Sequence, residues 1–457
     1  MTATTSQSSG PETNVTRNLA SWTAGYSPKA VTASAETWAR HALLDWFGVT
    51  IAGAKEPLAD IIAEEFASGK DGAATLVARS AKASAHDAAL VNGAVSHALD
   101  YDDVNGLMGG HPTVPVAAAV LALGEAMGAS GRDVLTAFIA GYEVECRLGE
   151  MSGPKHYDLG YHATGTFGTF GAAAAAAKLM GLDADRTAQA LGIAASQASG
   201  LKINFGTMTK PLHAGKAAMN GLMAARLAAR DFTARDTAIE APQGFVATQV
   251  PGFKPAPVRP DPNAPMAVEQ NLFKYHAACY LTHSSIEAIR DLKRRHNIGV
   301  EDVRKITLHI DPGHLKVCCI PDPKTGLEIK FALQHLAGMA LAGADTAALG
   351  TYSDENAVDP QYVAIRQRIE LDPKPVELKH KHGAGVTMEL NDGRVLETNT
   401  NVGIPASDVE AQEQKLVAKF HALAEPVIGR QRTKTAIAQI LRFEQLPNLK
   451  GLMEAVA

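Results

Sequence analysis

Residues 251–267, PGFKPAPVRPDPNAPMA, divide the chain. Prolines at 251, 255, 257, 260, 262 and 265 bar a continuous helix or a central strand, so the segment reads as a crossing between domains. Upstream, apolar and small residues recur at helical spacing. In TASAETWARHALLDWFG (32–48), Leu43, Leu44, Phe47 and the Trp38 side form one buried stripe. Further helices are predicted over 55–67, after Pro57, over SAHDAALVNGAVSHALDY (84–101), and over 113–128 and 132–148. Others run from 165 to 180, closed by Gly181, from Asp183 as cap to Gln197, and from Pro211 to Ala229. From Asn18 to about Phe245 almost nothing reads as strand, which predicts a large all-helical domain.

Downstream the pattern changes. His283–His296 is helical, VRKITLHI (303–310) reads as a strand, and GVTMELNDGRVLETNT (385–400) reads as a hairpin turning at Asn391–Gly393. Helices near 327–343 and 358–369 lie between these strands. The expected class is mainly α, with a helical domain over 18–268 and a smaller α+β domain over 270–402. Two domains also suit the 457 residues, since one core rarely grows past roughly 250–300 residues. Residues 406–457 are helical again, and their pattern does not choose between the two domains.

Hydrophobic residues make up 46 % of the chain and charged residues 20 %, the balance of a folded protein. The net charge of −5 lacks the basic footprint of a nucleic-acid binder. The opening MTATTSQSSGPETNVTRN has no apolar run, so it reads as a frayed tail rather than a signal peptide. The apolar stretches VPVAAAVLALGEAMGA and FGAAAAAAKLMG are too short to span a bilayer, and no membrane partner is expected. Four cysteines, Cys146, Cys279, Cys318 and Cys319, are too few to staple the fold and read as free thiols in a reducing cytoplasm. Dinucleotide, P-loop, zincin and nucleophile-elbow motifs are absent, and no cofactor is called for.

Four segments gather ionisable groups. In His97-Ala-Leu-Asp100-Tyr-Asp102-Asp103, helical spacing puts His97, Asp100 and Asp103 along part of one face, and the glycine-rich loop 106–110 returns His111 towards the carboxylates. A carboxylate holding a histidine tautomer tunes an acid–base imidazole, whereas the plain alternative is an exposed acidic helix end. The second segment, Lys155-His156-Tyr157-Asp158-Leu-Gly-Tyr161-His162-Ala-Thr164-Gly165-Thr166, precedes a small-residue helix that Thr164 or Thr166 could cap. In the third, Thr209 and Lys210 stand before a proline-started helix. An ammonium there is misplaced for the macrodipole and makes sense as part of a carboxylate site. Each of these also has a plain reading, as hydrogen-bonded loop tyrosines and a solvated lysine. The fourth, Lys274-Tyr275-His276-Ala-Ala-Cys279-Tyr-Leu-Thr282-His283, gives His276, Cys279 and His283 i, i+3, i+7 spacing. That spacing would suit a metal, but no fourth ligand is marked, so substrate-binding histidines are expected instead and no metal is assigned.

VNGAVSHALDYDD, GHP (110–112), GYHATGTFG (160–168), NFGTMTKPLHAG (204–215) and YHAACYLTH (275–283) together resemble the MmgE/PrpD family of 2-methylcitrate dehydratases, cis-aconitate decarboxylases and iminodisuccinate epimerase. KHYDLGYHATGTFG and NFGTMTKPLHAG look most like the epimerase branch. The resemblance implies a large helical domain completed by the C-terminal segment (403–457), a smaller α+β lid, a homodimer and a site between the domains. It maps the family's polar residues onto Asp100, His111, His162, Lys210 and His283, with His276 and Tyr157 as looser matches. The expected function is a cofactor-independent lyase or isomerase that abstracts a proton beside a carboxylate of a small di- or tricarboxylate. Dehydration, decarboxylation and epimerisation stay open. Catalysis would fall to His162, His111, Asp100, Tyr157 and Lys210, and binding to Lys210, Thr209, His276 and His283. The alternatives are a metal-dependent hydrolase using His276, Cys279 and His283, or a non-catalytic binding protein on the same scaffold.

Overall fold

The structure is a computed structural model that describes residues 14–374 and 383–457, apart from positions 68, 70, 260, 262 and 319. The expected frayed tail and Cys319 lie outside the described residues. The fold is mainly α, with a smaller α+β part. The chain forms two compact units, one reaching Asn271 and resuming at Val409–Ala457, the other Leu272–Asp408.

The first unit holds α1 (Val15–Gly25), α2 (Ala33–Gly53), α3 (Pro57–Phe66), a ladder of β1 (Ala74–Thr75) with β2 (Lys82–Ala83), α4 (Ala85–Ser96), α5 (Thr113–Met127) and α6 (Gly131–Ser152). It continues with α7 (Lys155–Asp158), α8 (Ala163–Leu179), α9 (Ala184–Ala195), α10 (Thr209–Ala228) and α11 (Phe245–Gln249). The second unit holds α12 (His283–His296), β3 (Val303–Ile310), α13 (Gly326–Ile329), α14 (Leu333–Ala342), α15 (Asp354–Val358), α16 (Pro360–Arg366), β4 (Ile369–Pro373), β5 (Gly383–Leu390) and β6 (Val395–Asn401). Then α17 (Val409–Ile428), α18 (Arg430–Ile440) and α19 (Lys450–Val456) rejoin the first unit, α17 against α2.

In the first unit the core is built from small residues. Residues 163–177 of α8 are all buried, packed by α6, α10 and α5. Alanine buries little area, so cohesion here depends on how closely the backbones approach. At Gly221 of α10 a Cβ would sit 2.5 Å from Ala172 Cβ and Ala173 N of α8, so only glycine admits the crossing. Thr32 caps α2, its hydroxyl accepting from the Ala35 N–H. Between Trp38 and Gly53 only Arg40 is not buried, so α2 is a core helix and not the one-striped helix its spacing suggested.

In the second unit the sheet runs β4-β3-β5-β6, β3 parallel to β4 and the other pairs antiparallel. Ile306 pairs with both Ile369 and Met388. One face of β3, carrying Ile306, Leu308 and Ile310, joins the core made with Ile286, Ile289 and Leu292 of α12 and Leu336 and Met339 of α14. The hairpin and the 283–296 helix stand where the sequence puts them. The expected 327–343 helix is two helices broken at 330–332, and the 358–369 segment ends in the unforeseen strand β4.

Candidate active site

The helix expected over 84–101 stops at Ser96, because His97 caps it and Asp100 turns left-handed (φ 51°). His97, Asp100 and Asp103 therefore share no helix face. The turn gathers His97 and Asp100 with Asp102 and sends Asp103 to Thr113 and Asn271, and α17 holds it: Lys419 Nζ donates to the Tyr101 carbonyl at 2.8 Å and pairs with Asp45 at 2.6 Å. The 106–110 loop closes where Asn105 N–H donates to the Gly110 carbonyl, and His111 N–H donates to Thr164 Oγ1. His111 thus returns beside the carboxylates.

Asp102, 1 % exposed, lies between two imidazoles. It accepts from His97 Nδ1 at 2.9 Å, and His111 Nδ1 is also 2.9 Å away. Burial works to raise its pKa, but His111 and His97 hold the carboxyl well below the usual range. Burial drives His97 down to about 4. Asp100 pairs with Lys210 Nζ at 2.9 Å and lies 3.6 Å from His111 Nε2. His97 and Asp102 are sealed, whereas the side chains of His111 and Asp100 are 13 % and 16 % exposed. The charged groups thus run from the core to an accessible edge of the helical unit.

His162 precedes α8 as its N-cap, with Thr164 and Thr166 already inside the helix. The expected threonine cap is therefore corrected: Thr164 serves His111, and Thr166 bonds to His156 Nε2 at 2.8 Å. The His162 ring stacks on His97 at 5.7 Å, meets Phe205 edge-on at 5.0 Å and places Nδ1 3.1 Å from His213 Nδ1. Burial, then His97 and Lys210, push His162 well below the imidazole range.

Asp100, His111, His162 and Lys210 are therefore brought together. Tyr157 instead lies under Lys202, whose Nζ is 3.6 Å from the ring centre, and Thr209 opens α10 beside Lys210. His276 and His283 belong to the second unit. His276 contacts Glu287 through Nε2 and Thr346 through Nδ1, both at 2.8 Å, and His283 Nε2 is 3.1 Å from the Ala278 carbonyl. With a 3₁₀ turn at Tyr280–Thr282, the residues from His276 to His283 do not follow one helix, and the i, i+3, i+7 metal reading fails. Among the described residues the set with ligand atoms within 4.8 Å of one another is His97, Asp100, Asp102 and His111. A cation there would have to displace Lys210 from Asp100. Sequence reasoning assigned no role to His97, Asp102 or His213. The i, i+3 spacing of Lys210 and His213 on α10 was the signal for the last.

Imidazoles oriented by a buried carboxylate next to an ammonium are acid–base equipment, and the protein is an enzyme rather than a binding scaffold. Residues 17–257 match the MmgE/PrpD N-terminal domain and residues 276–443 the MmgE/PrpD C-terminal domain. The chain belongs to the MmgE/PrpD family. It is 26 % identical to a cis-aconitate decarboxylase-like protein of Aspergillus oryzae, covering 98 % of each chain. It is 25 % identical to cis-aconitate decarboxylase of Aspergillus terreus (98 % and 97 % covered) and 27 % to that of Homo sapiens (80 % and 78 %). The enzyme is of the lyase class. No helix among the described residues is long and apolar enough to cross a membrane.

Proposed function

We propose that this enzyme decarboxylates a small di- or tricarboxylate of the cis-aconitate type, without a cofactor. The observation that carries the reading is the Asp102–His111 pair set beside the Lys210–Asp100 pair. Asp102 orients His111 as an acid–base imidazole beside the substrate site. Lys210 exchanges Asp100 for a substrate carboxylate, and its charge then stabilises electron density left on the adjacent carbon. His162 delivers the one proton that the carbon losing CO₂ requires. The relatives' names favour decarboxylation over dehydration, and over the epimerisation that the 155–168 and 204–215 motifs suggest. The test is NMR of cis-aconitate, 2-methylcitrate and iminodisuccinate incubated with the enzyme in deuterated water. Loss of CO₂ with deuterium at the reacting carbon of cis-aconitate is expected. Conversion of another substrate would move the assignment, and no turnover or exchange in any would overturn it.

We also propose a homodimer, on the resemblance to the MmgE/PrpD family. Sedimentation at micromolar concentration should show twice the 48.0 kDa chain mass, and a lone monomer would refute this.

A further inference from the structure

We infer that His213 is a proton relay that recharges His162 from solvent. This rests on the proposed proton transfer by His162. Two imidazole Nδ1 atoms 3.1 Å apart are compatible only if one carries hydrogen and the other a lone pair. The pair therefore shares one Nδ1 proton, and a proton gained at one ring redirects the bond at the other.

The pair is built into the fold. Tyr161 bridges to Leu201, and His162 N–H donates to the Gly200 carbonyl at 3.0 Å, which pins the histidine to the 198–202 loop. His213 comes from the first turns of α10, one helical turn after Lys210. Both rings fit because two neighbours lack a side chain. A Cβ at Gly200 (φ +151°) would lie 3.3 Å from His213 Cγ and Nδ1 and 3.4 Å from His162 Cβ. One at Gly165 would lie 3.1 Å from His213 Cβ and 2.5 Å from the Ser199 carbonyl.

The two rings differ in access. His162 is 2 % exposed, while His213 is only half-buried. The basic groups facing His162 are Lys210, His97, His111 and His213, and the carboxylates nearby are Asp100 and Asp102; burial and Lys210 lower His213 as well. Burial and these neighbours keep His162 neutral in the empty enzyme. An anionic substrate reverses that balance and favours the imidazolium. The proton must then come from outside. In decarboxylation the carbon–carbon bond to the carboxylate breaks, CO₂ leaves and the electron pair stays on carbon. His162 gives that carbon its proton, forming the C–H bond, and takes a proton from His213, which takes one from water. One proton is consumed per CO₂ released.

The discriminating variants are His213→Ala and His213→Asn. Asparagine keeps an N–H near the Nδ1 position and so preserves support for His162, but it cannot cycle a proton. Both should lose on the order of 10²-fold in kcat with KM little changed. Imidazole in the buffer should restore much of the alanine variant's rate. The pH profile of kcat should lose the limb that His213 supplies. Full activity in His213→Asn, or no imidazole rescue of a folded His213→Ala, would overturn the relay and leave His213 a packing residue. If the wild type turns over no carboxylate tested, the proposed function fails, and ¹⁵N-histidine NMR still decides the pairing. The His162 titration should shift in His213→Asn, and an unchanged titration would refute the shared proton.

Discussion

Replacing Asp102 by asparagine tests the site most directly. The carboxylate is buried and faces Nδ1 of both His97 and His111 at 2.9 Å. As an anion it accepts the His97 N–H and pairs with His111 across 2.9 Å. An amide of the same shape has one acceptor oxygen and one donor nitrogen, so it can serve both rings only if one changes tautomer. His97 Nδ1 reaches both carboxylate oxygens, at 3.0 and 2.9 Å, so it keeps an acceptor whichever of them becomes the amide nitrogen. The tautomer change, or the lost contact, therefore falls on His111. Losing the function of an oriented acid–base imidazole costs roughly 10²–10⁴-fold in rate, or about 3–5 kcal/mol of transition-state stabilisation. Stability should fall by about 1–3 kcal/mol, the usual cost of spoiling a buried charged hydrogen bond. The pH dependence has a definite sign. The folded carboxyl titrates well below its ordinary 3.8, so its contribution is present above that pH and lost as pH falls through the lower folded value. The melting-temperature gap between wild type and Asp102→Asn should accordingly be constant near neutrality and shrink in acid. The assay is kcat and KM on cis-aconitate alongside melting curves at several pH values. A folded variant that retains wild-type kcat would refute the assignment of Asp102 and His111 as one acid–base unit.

Lys210→Met keeps the apolar stem and removes the charge, so it should raise KM and also slow kcat on the same substrate. Unchanged values of both would return Lys210 to a structural ion pair with Asp100. Asp103 is pushed up to about 8 by burial and by Asp45, so the folded protein binds the extra proton between 3.8 and about 8 and loses stability as pH rises through that window. Asp103→Asn should flatten that slope, worth on the order of a few kcal/mol, and parallel melting curves would contradict it. Gly215→Ala would set a Cβ 2.2 Å from the Leu90 carbonyl of α4, so its urea midpoint should report a loss of about 1–3 kcal/mol, and an unshifted midpoint would disprove that α4 and α10 pack so tightly.

The helical unit was legible because runs such as 113–127 and 163–179 can hardly form anything else: small residues and the glycines that follow agree with one another. Asp183, read as a cap, does accept from the Arg186 N–H at 2.8 Å, and Gly181 does turn left-handed after α8. The hairpin was legible from its turn chemistry at Asn391–Gly393. Strand β4 was not. IELDP is short, half-exposed and ends in proline, so nothing within it announces a strand, and it exists because β3 offers it a parallel edge. The 97–103 turn was hidden for a related reason. Its spacing fits a helix, and what ends the helix is tertiary: Lys419, 318 residues away, grips the Tyr101 carbonyl.

The site residues were legible by type and not by partner. Histidines, aspartates and a lysine stood out because they interrupt small apolar stretches, yet chain distance says nothing about which of them meet. Lys210 joins Asp100 across 110 positions, and His162 joins His213 across 51. The information that sets these pairs lies in residues with no chemistry of their own. At Gly110 a Cβ would stand 3.1 Å from the Thr164 nitrogen, and at Gly165 one would meet the Ser199 carbonyl at 2.5 Å. Substituting either would push apart the chain segments that carry His111, His162 and His213. The glycines flanking each motif therefore fix the distances on which acid–base chemistry depends, and the ionisable residues supply only its protons.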